Sequence, residues 1–220
     1  MRRSVFEHWV GVLGRWSDVT GNIPLQISGP QLYGERMDLV WAKESLLPGY
    51  IYALRRGWSP NTVRPEASVE ELHAIEVDSE AFLRSLVDRE AAGSPIVLPD
   101  GTTAARLPGF RKWMWDGEFC GSIGLRWQPG TSELPDYVLG HIGYSVVPWK
   151  RRRGYATKAL GLILVDAGRE GLTHVDLTTD IDNVASRRVI EANRGELLDA
   201  FSKPDAYGGE SGVRYRIHLG

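Results

Sequence analysis

Ile142-Gly143-Tyr144-Ser145-Val146-Val147-Pro148-Trp149-Lys150-Arg151-Arg152-Arg153-Gly154-Tyr155-Ala156 is the stretch whose reading decides the fold of this chain. Ile142 to Val147 is apolar and strand-like, Pro148 turns it, and Arg151 to Ala156 leads into a helix. That helix is predicted over Tyr155 to Arg169, because Ala156, Ala159, Leu160, Ile163, Leu164 and Ala167 recur with a 3.6-residue period. Gly168 and Gly171 bracket its end. A strand feeding a glycine-containing loop at a helix N-terminus is an anion site, since backbone N–H groups point outward there and the helix dipole favours negative charge. This order of parts predicts a phosphate-bearing cofactor held mainly by backbone.

Downstream, His174 to Thr178 reads as a short strand with Val175 and Leu177 alternating, and Asp182 as the cap of a helix over Val184 to Ala192. Leu197 to Ser202 and Val213 to Leu219 read as the final strands. Upstream, Arg111 to Trp115 and Phe119 to Trp127 form a hairpin around Asp116-Gly117, and Val138 to Val147 reads as one strand. Earlier still, a first strand is expected over Met37 to Ala42 and a short helix over Gly49 to Arg56. A longer helix follows over Ser68 to Ala92, opened by a Ser68–Glu71 capping box. Pro95 to Gly109 reads as a loop with a turn at Pro99–Gly101. Strands followed by helix, strand, helix and strands make this an α/β protein, a mixed sheet with helices on its faces.

The chain has 220 residues, enough for one α/β domain and an appendage. Residues 1–35 form the appendage: a short amphipathic helix over Val5 to Leu13, then a Gly/Pro-rich stretch. It either packs on the domain, 36–220, or serves as a partner-binding or dimer helix, so a homodimer stays open. A net charge of −2 gives no general pull toward nucleic acid, which makes the Lys150–Arg153 cluster a local feature. The single cysteine, Cys120, excludes an intrachain disulfide and a cysteine-only zinc site, and fits a reducing, cytoplasmic location. No segment approaches the ~20 apolar residues that span a bilayer, so no membrane partner is expected, and Met1 to Trp16 does not read as a signal peptide. The five histidines lack paired spacing, so no metal is expected, and no Walker loop is present.

With these residues in this order, the chain resembles the GNAT superfamily of acyl-CoA-dependent N-acyltransferases. The family's loop signature, Gln or Arg, two residues, Gly, one residue, Gly or Ala, is matched by Arg151, Gly154 and Ala156. Asp182-Asn183-Val184-Ala185-Ser186 resembles the Asn-x-x-Ser segment after the fifth strand, and Gly140-His141-Ile142-Gly143-Tyr144 is similar to one group of uncharacterised bacterial members. The match is good over Asp116 to Phe201, looser upstream, and does not reach residues 1–35. The resemblance implies a mixed, mostly antiparallel sheet flanked by helices and splayed between its fourth and fifth strands. It implies acetyl-CoA as co-substrate and an acetyl or short acyl group moving to a primary amine of a small molecule or peptide.

It also implies a site. The cofactor pyrophosphate lies on the backbone of Arg152, Arg153, Gly154, Tyr155, Ala156 and Thr157, with Arg151 to Arg153 adding charge-assisted contacts; a solvated basic loop is the plainer alternative. The pantetheine arm pairs with exposed backbone at Val146 and Val147, and the Val147 N–H polarises the thioester carbonyl. Asn183 and Ser186 contact the pantetheine region, unless Asn183 only caps a helix. His141 stands where several members carry a catalytic carboxylate, so it is the candidate base, against a structural histidine beside the sheet. The family's usual tyrosine acid is replaced by Ile190, which leaves Tyr144, or no acid. Glu118, Asp136 and Asp180 read as solvated carboxylates and Cys120 as a small buried residue, so direct attack in a ternary complex is expected. Trp113, Trp115 and Trp127 read as core aromatics or as the lining of an acceptor pocket. The rival readings are a protein N-terminal or lysine acetyltransferase, an acyl-CoA-binding module without catalysis and, weaker than these, nucleic-acid binding through Arg151–Arg153, which would be strongly salt-dependent and free of competition with CoA.

Overall fold

The computed structural model describes residues 37–62, 64–98, 101–202 and 211–220. The expected N-terminal extension with its Val5–Leu13 helix, and Pro99 and Asp100 of the expected turn, lie outside these residues.

Two antiparallel sheets share the core. The first runs in the order β1 (Asp38–Trp41), β5 (Gly109–Trp115), β6 (Phe119–Arg126), β7 (Ile142–Val146), with the short β2 (Val87–Asp88) also paired to β5. The second is β8 (His174–Asp180), β10 (Ser211–His218), β9 (Glu196–Ser202). The expected fourth and fifth strands are β7 and β8, and they belong to different sheets: the splay is present. The remaining pair, β3 (Ile96–Val97) and β4 (Thr103–Ala104), is a small hairpin within the segment expected to be loop.

Strand alternation sends side chains to two cores. From β5, Met114 joins the cluster under α4 (Tyr155–Arg169), while Trp113 joins that under α1 (Leu47–Arg55). The α4 anchors Ala159, Leu160, Ile163 and Ala167 are all fully buried, as their period requires. On the opposite face Tyr50 stacks on Trp113 at 4.5 Å between ring centroids, a geometry that adds to plain burial. Gly121 joins β6 to β7: with φ +151° it lies opposite Val146, and a Cβ there would sit 2.2 Å from the Ser145 carbonyl oxygen.

The long helix expected over Ser68 to Ala92 is two helices, α2 (Ala67–Val77) and α3 (Ser79–Ser85). Asp78 breaks it: its backbone is extended, and its carboxylate accepts the Ala81 N–H at 2.8 Å, so the side chain caps α3 instead of continuing α2. The Ser68–Glu71 capping box does not form. Ser68 lies inside α2 and donates to the Pro65 carbonyl at 2.9 Å. Glu71 accepts from Tyr50 and from Arg111, tying α2 to α1 and the sheet. The strand expected from Val138 begins only at Ile142. Helix α5 (Val184–Glu191) is capped by Asn183 rather than Asp182, with the Asn183 Oδ1 accepting the Ser186 N–H at 3.0 Å.

Candidate active site

The gap between β7 and β8 is set by which backbone groups of β7 are already bonded. The Val147 N–H donates to the Cys120 carbonyl at 2.9 Å and the Arg126 N–H to the His141 carbonyl at 2.9 Å, so odd-numbered positions face β6. In a strand the next residues turn their N–H and C=O the other way. Tyr144 and Val146 therefore present backbone groups to the gap. Consistent with this, the Arg151 Nε donates to the Val146 carbonyl at 3.3 Å. The expected role of the Val147 N–H is corrected here: that group belongs to the β6–β7 ladder.

Beyond Pro148 the loop coils toward α4. Arg152 and Gly154 both take the left-handed conformation, at φ +64° and +74°. For arginine this conformation costs roughly 1–2 kcal/mol, a strain that characteristically persists at ligand sites. Arg151 to Gly154 are exposed, and the first N–H groups of α4 follow directly. Successive N–H groups in such a turn at a helix N-terminus form a concave anion site. Tyr155 contributes backbone only, because its hydroxyl donates to Asp116 at 2.6 Å and its ring is buried. Both Asp116 oxygens also accept from the buried Lys150 ammonium, each at 3.0 Å. Burial pushes the Asp116 carboxyl up, but these donors more than offset it and hold it below the usual carboxylate range. The Asp116–Lys150–Tyr155 cluster thus pins the loop from beneath. The Asn193 amide, just beyond α5, donates to the Thr157 carbonyl at 3.1 Å and to the Val189 carbonyl of α5 at 2.8 Å.

Across the gap, Ser186 Oγ and the Tyr144 hydroxyl hydrogen-bond at 2.8 Å. Burial raises the Tyr144 pKa, and the Ser186 contact only partly opposes it, so the phenol stays protonated at neutral pH. Ile190, at the place of the family's usual tyrosine, is fully buried in the core. On the α1 side of β7, Ser145 accepts from Trp58 Nε1 at 2.9 Å and donates to the Ser59 carbonyl at 3.2 Å, fastening the segment after α1 to the strand. Trp115, Tyr52, Phe119 and Trp149 line an open pocket of about 460 Å³, whereas Trp113 and Trp127 are core residues.

His141 does not stand in the open gap. It is completely buried, and its Nδ1 accepts the Asp176 N–H at 2.9 Å. That bond leaves the ring proton on Nε2, so neither nitrogen has a lone pair to take a proton from an amine. Burial, outweighing the Asp176 charge, brings its pKa down to about 4. The candidate base is therefore corrected to a neutral histidine inside the fold. Cys120 is equally inert: burial, with the Asp116 carboxylate beside it, pushes its thiol up to about 12. Glu118 pairs with Lys150 at 2.9 Å and is largely exposed. Among the described residues one group, Glu133, His174 and Asp176, brings three metal-type donors together. Both Asp176 oxygens already take the Arg216 guanidinium, at 2.7 and 2.9 Å, so a cation would have to displace it.

The splay between β7 and β8 is the sheet geometry that the GNAT resemblance implies, and the left-handed Arg152–Gly154 loop stands at the start of α4. The family model described as acetyltransferase (GNAT) domain matches residues 65–195, more than half of the chain, and the protein belongs to that family. Acetyl-CoA is the family's co-substrate, and the chain is an acyltransferase. No curated protein matches the sequence significantly. Among solved structures, the microcin C7 self-immunity acetyltransferase MccE with acetyl-CoA and AMP is 11% identical, covers 85% of this chain and 94% of its own, and has a TM-score of 0.54. The Salmonella typhimurium acetyltransferase that modifies the N-terminal serine of ribosomal protein L7/L12 is 14% identical, covers 86% and 98%, and has a TM-score of 0.57. RimL, a ribosomal L7/L12 α-N-protein acetyltransferase with coenzyme A, is 14% identical over 83% and 94%, with a TM-score of 0.56. Among the described residues no helix is long and apolar enough to cross a membrane.

Proposed function

We propose that this protein moves an acetyl or short acyl group from acetyl-CoA to a primary amine of a small molecule by direct attack in a ternary complex. The observation that carries this reading is the pair of outward-facing β7 residues, Tyr144 and Val146, leading into the left-handed Arg152–Gly154 loop. The loop and the first turn of α4 hold the pyrophosphate by backbone N–H groups, with Arg151 to Arg153 as charged partners. Pantetheine amides add to the gap-facing edge of β7, where they replace the Arg151 contact on the Val146 carbonyl. The Val146 N–H takes the place assigned above to Val147 as a donor to pantetheine or to the thioester oxygen. Asn183 exchanges its capping bond for the arm, and the Tyr144–Ser186 pair supplies the proton for the leaving thiolate.

A second reading has two observations behind it. Two of the solved structures above act on a protein N-terminus by their descriptions, and His141 has no free lone pair. An α-amine, with a reference pKa of about 8, supplies free base near neutral pH without a strong side-chain base. Acylation of a protein or peptide α-amine is therefore the alternative acceptor class.

The first test is thermal unfolding with acetyl-CoA, CoA or ATP. Acetyl-CoA at ~100 times its Kd adds about 2.7 kcal/mol and raises Tm by several degrees. Thiol release is then followed with a panel of small amines and with a serine-initiated peptide. A shift with no turnover on either panel would favour a non-catalytic acyl-CoA-binding module. No shift at saturation would sink the cofactor assignment for this loop.

A further inference from the structure

We infer that His141 is a positioning residue: it pins the closed end of the β7–β8 gap and so sets the spacing in which the acyl-thioester arm lies. Its backbone N–H donates to the Asp176 carbonyl at 2.8 Å, and its imidazole Nδ1 accepts the Asp176 N–H at 2.9 Å. A single residue therefore satisfies both backbone groups of Asp176, as a full strand pair would, but with the ring standing in for one carbonyl. Its own carbonyl accepts the Arg126 N–H at 2.9 Å, which ties the same residue to β6. From this rung onward β7 pairs with β6 alone.

The neighbourhood allows little slack. A Cβ on Gly140 would meet the Asp176 carbonyl oxygen at 3.1 Å and the Thr178 nitrogen at 3.3 Å, so the chain enters β7 flush against β8. Across β8, Arg216 from β10 holds both carboxylate oxygens of Asp176, at 2.7 and 2.9 Å, which fixes the partner strand. Arg126, His141, Asp176 and Arg216 thus form one continuous brace from β6 to β10. Since β7 and β8 are joined there and part beyond it, the angle and width of the gap are set at this rung.

The inference rests on reading the gap as the acyl-CoA cleft, and one titration series separates the two. Calorimetric binding of acetyl-CoA is measured for wild type, His141→Asn, His141→Gln and His141→Ala. Asparagine places its Oδ1 where the imidazole Nδ1 lies and accepts the same N–H, but it carries no group that can act as a base. The expected result is an affinity within about threefold of wild type for His141→Asn, and a loss of about tenfold or more for His141→Ala, whose Asp176 N–H has no acceptor. His141→Gln, with its oxygen one bond farther out, falls between them. If His141→Ala does not fold, the order Asn above Gln carries the test. Ile75→Ala, a core truncation in α2, is the control for lost stability and keeps its affinity. Equal affinity in all His141 variants overturns the positioning role, as does an equal loss in Ile75→Ala. Absence of binding by wild type itself overturns the cleft reading instead.

Discussion

The two ends of the β7–β8 gap differ in how their polar groups are used. At the closed end the Asp176 backbone groups are bonded to His141 and its carboxylate to Arg216, and the histidine is buried and held neutral. At the open end the Val146 carbonyl accepts from the solvent-exposed Arg151 side chain, and two of the next residues sit in the left-handed region. Paired backbone groups hold the two strands together at the closed end, although the buried His141 Nε2 has no partner among the described residues, whereas left-handed backbone turns N–H groups outward at the open end. β7 and the residue just before it span both ends, so positions a few residues apart differ in whether their backbone groups are already bonded across the gap.

The strongest way to break this contrast is to remove the support that holds β7 from behind. Gly121→Val puts a side chain on a left-handed backbone against the Ser145 carbonyl, and should cost roughly 4 kcal/mol or more, seen as a large fall in Tm or loss of soluble protein. A Tm within two or three degrees of wild type would mean that β6 and β7 can separate at Val146, contrary to the register.

The closed end is next. The folded pKa of His141 is about 4, against an ordinary 6.5, so its neutral state stabilises fully above pH 6.5 and that contribution is lost as pH falls toward 4. Wild type should lose roughly 3 kcal/mol over that window that His141→Asn keeps. Asp176, His174 and Glu133 surround both side chains alike, so the difference between the two denaturation–pH curves isolates the imidazole. Parallel curves would show a ring that protonates without leaving its place.

Two loop substitutions sharpen the open end with opposite signs. Gly154→Val forces a β-branched residue to φ +74°, and should destabilise by about 1–2 kcal/mol while weakening acetyl-CoA binding about tenfold. Arg152→Gly releases the strain at φ +64° and should raise stability by up to ~1 kcal/mol, yet lower CoA affinity a few-fold through the lost charge. Paired melting and calorimetry on both variants checks the signs. A gain in both stability and affinity for Arg152→Gly would mean that its side chain faces away from the phosphates.

Much of this was legible in the sequence because it is local. The α4 bounds, Tyr155–Arg169, follow from a 3.6-residue period, and the β5–β6 hairpin from an Asp-Gly turn between apolar runs. The anion loop follows from a strand exit, a glycine and a helix start within fifteen residues, where backbone conformation is dictated by immediate neighbours. Asp78 shows the limit of such reasoning: the apolar period runs through it, and only its side-chain bond to Ala81 breaks the helix. The tertiary structure alone decided which hydrogen-bond partner each site residue has. His141 and Asp176 are thirty-five positions apart, and Tyr155 and Asp116 are thirty-nine apart. A residue type announces that it can donate or accept, but not whether another strand has already taken the bond. For that reason the sequence determined the family, while only the packing of β6, β7 and β8 turned the Val147 N–H toward β6, left Val146 facing the gap, and set the His141 Nδ1 against the Asp176 N–H.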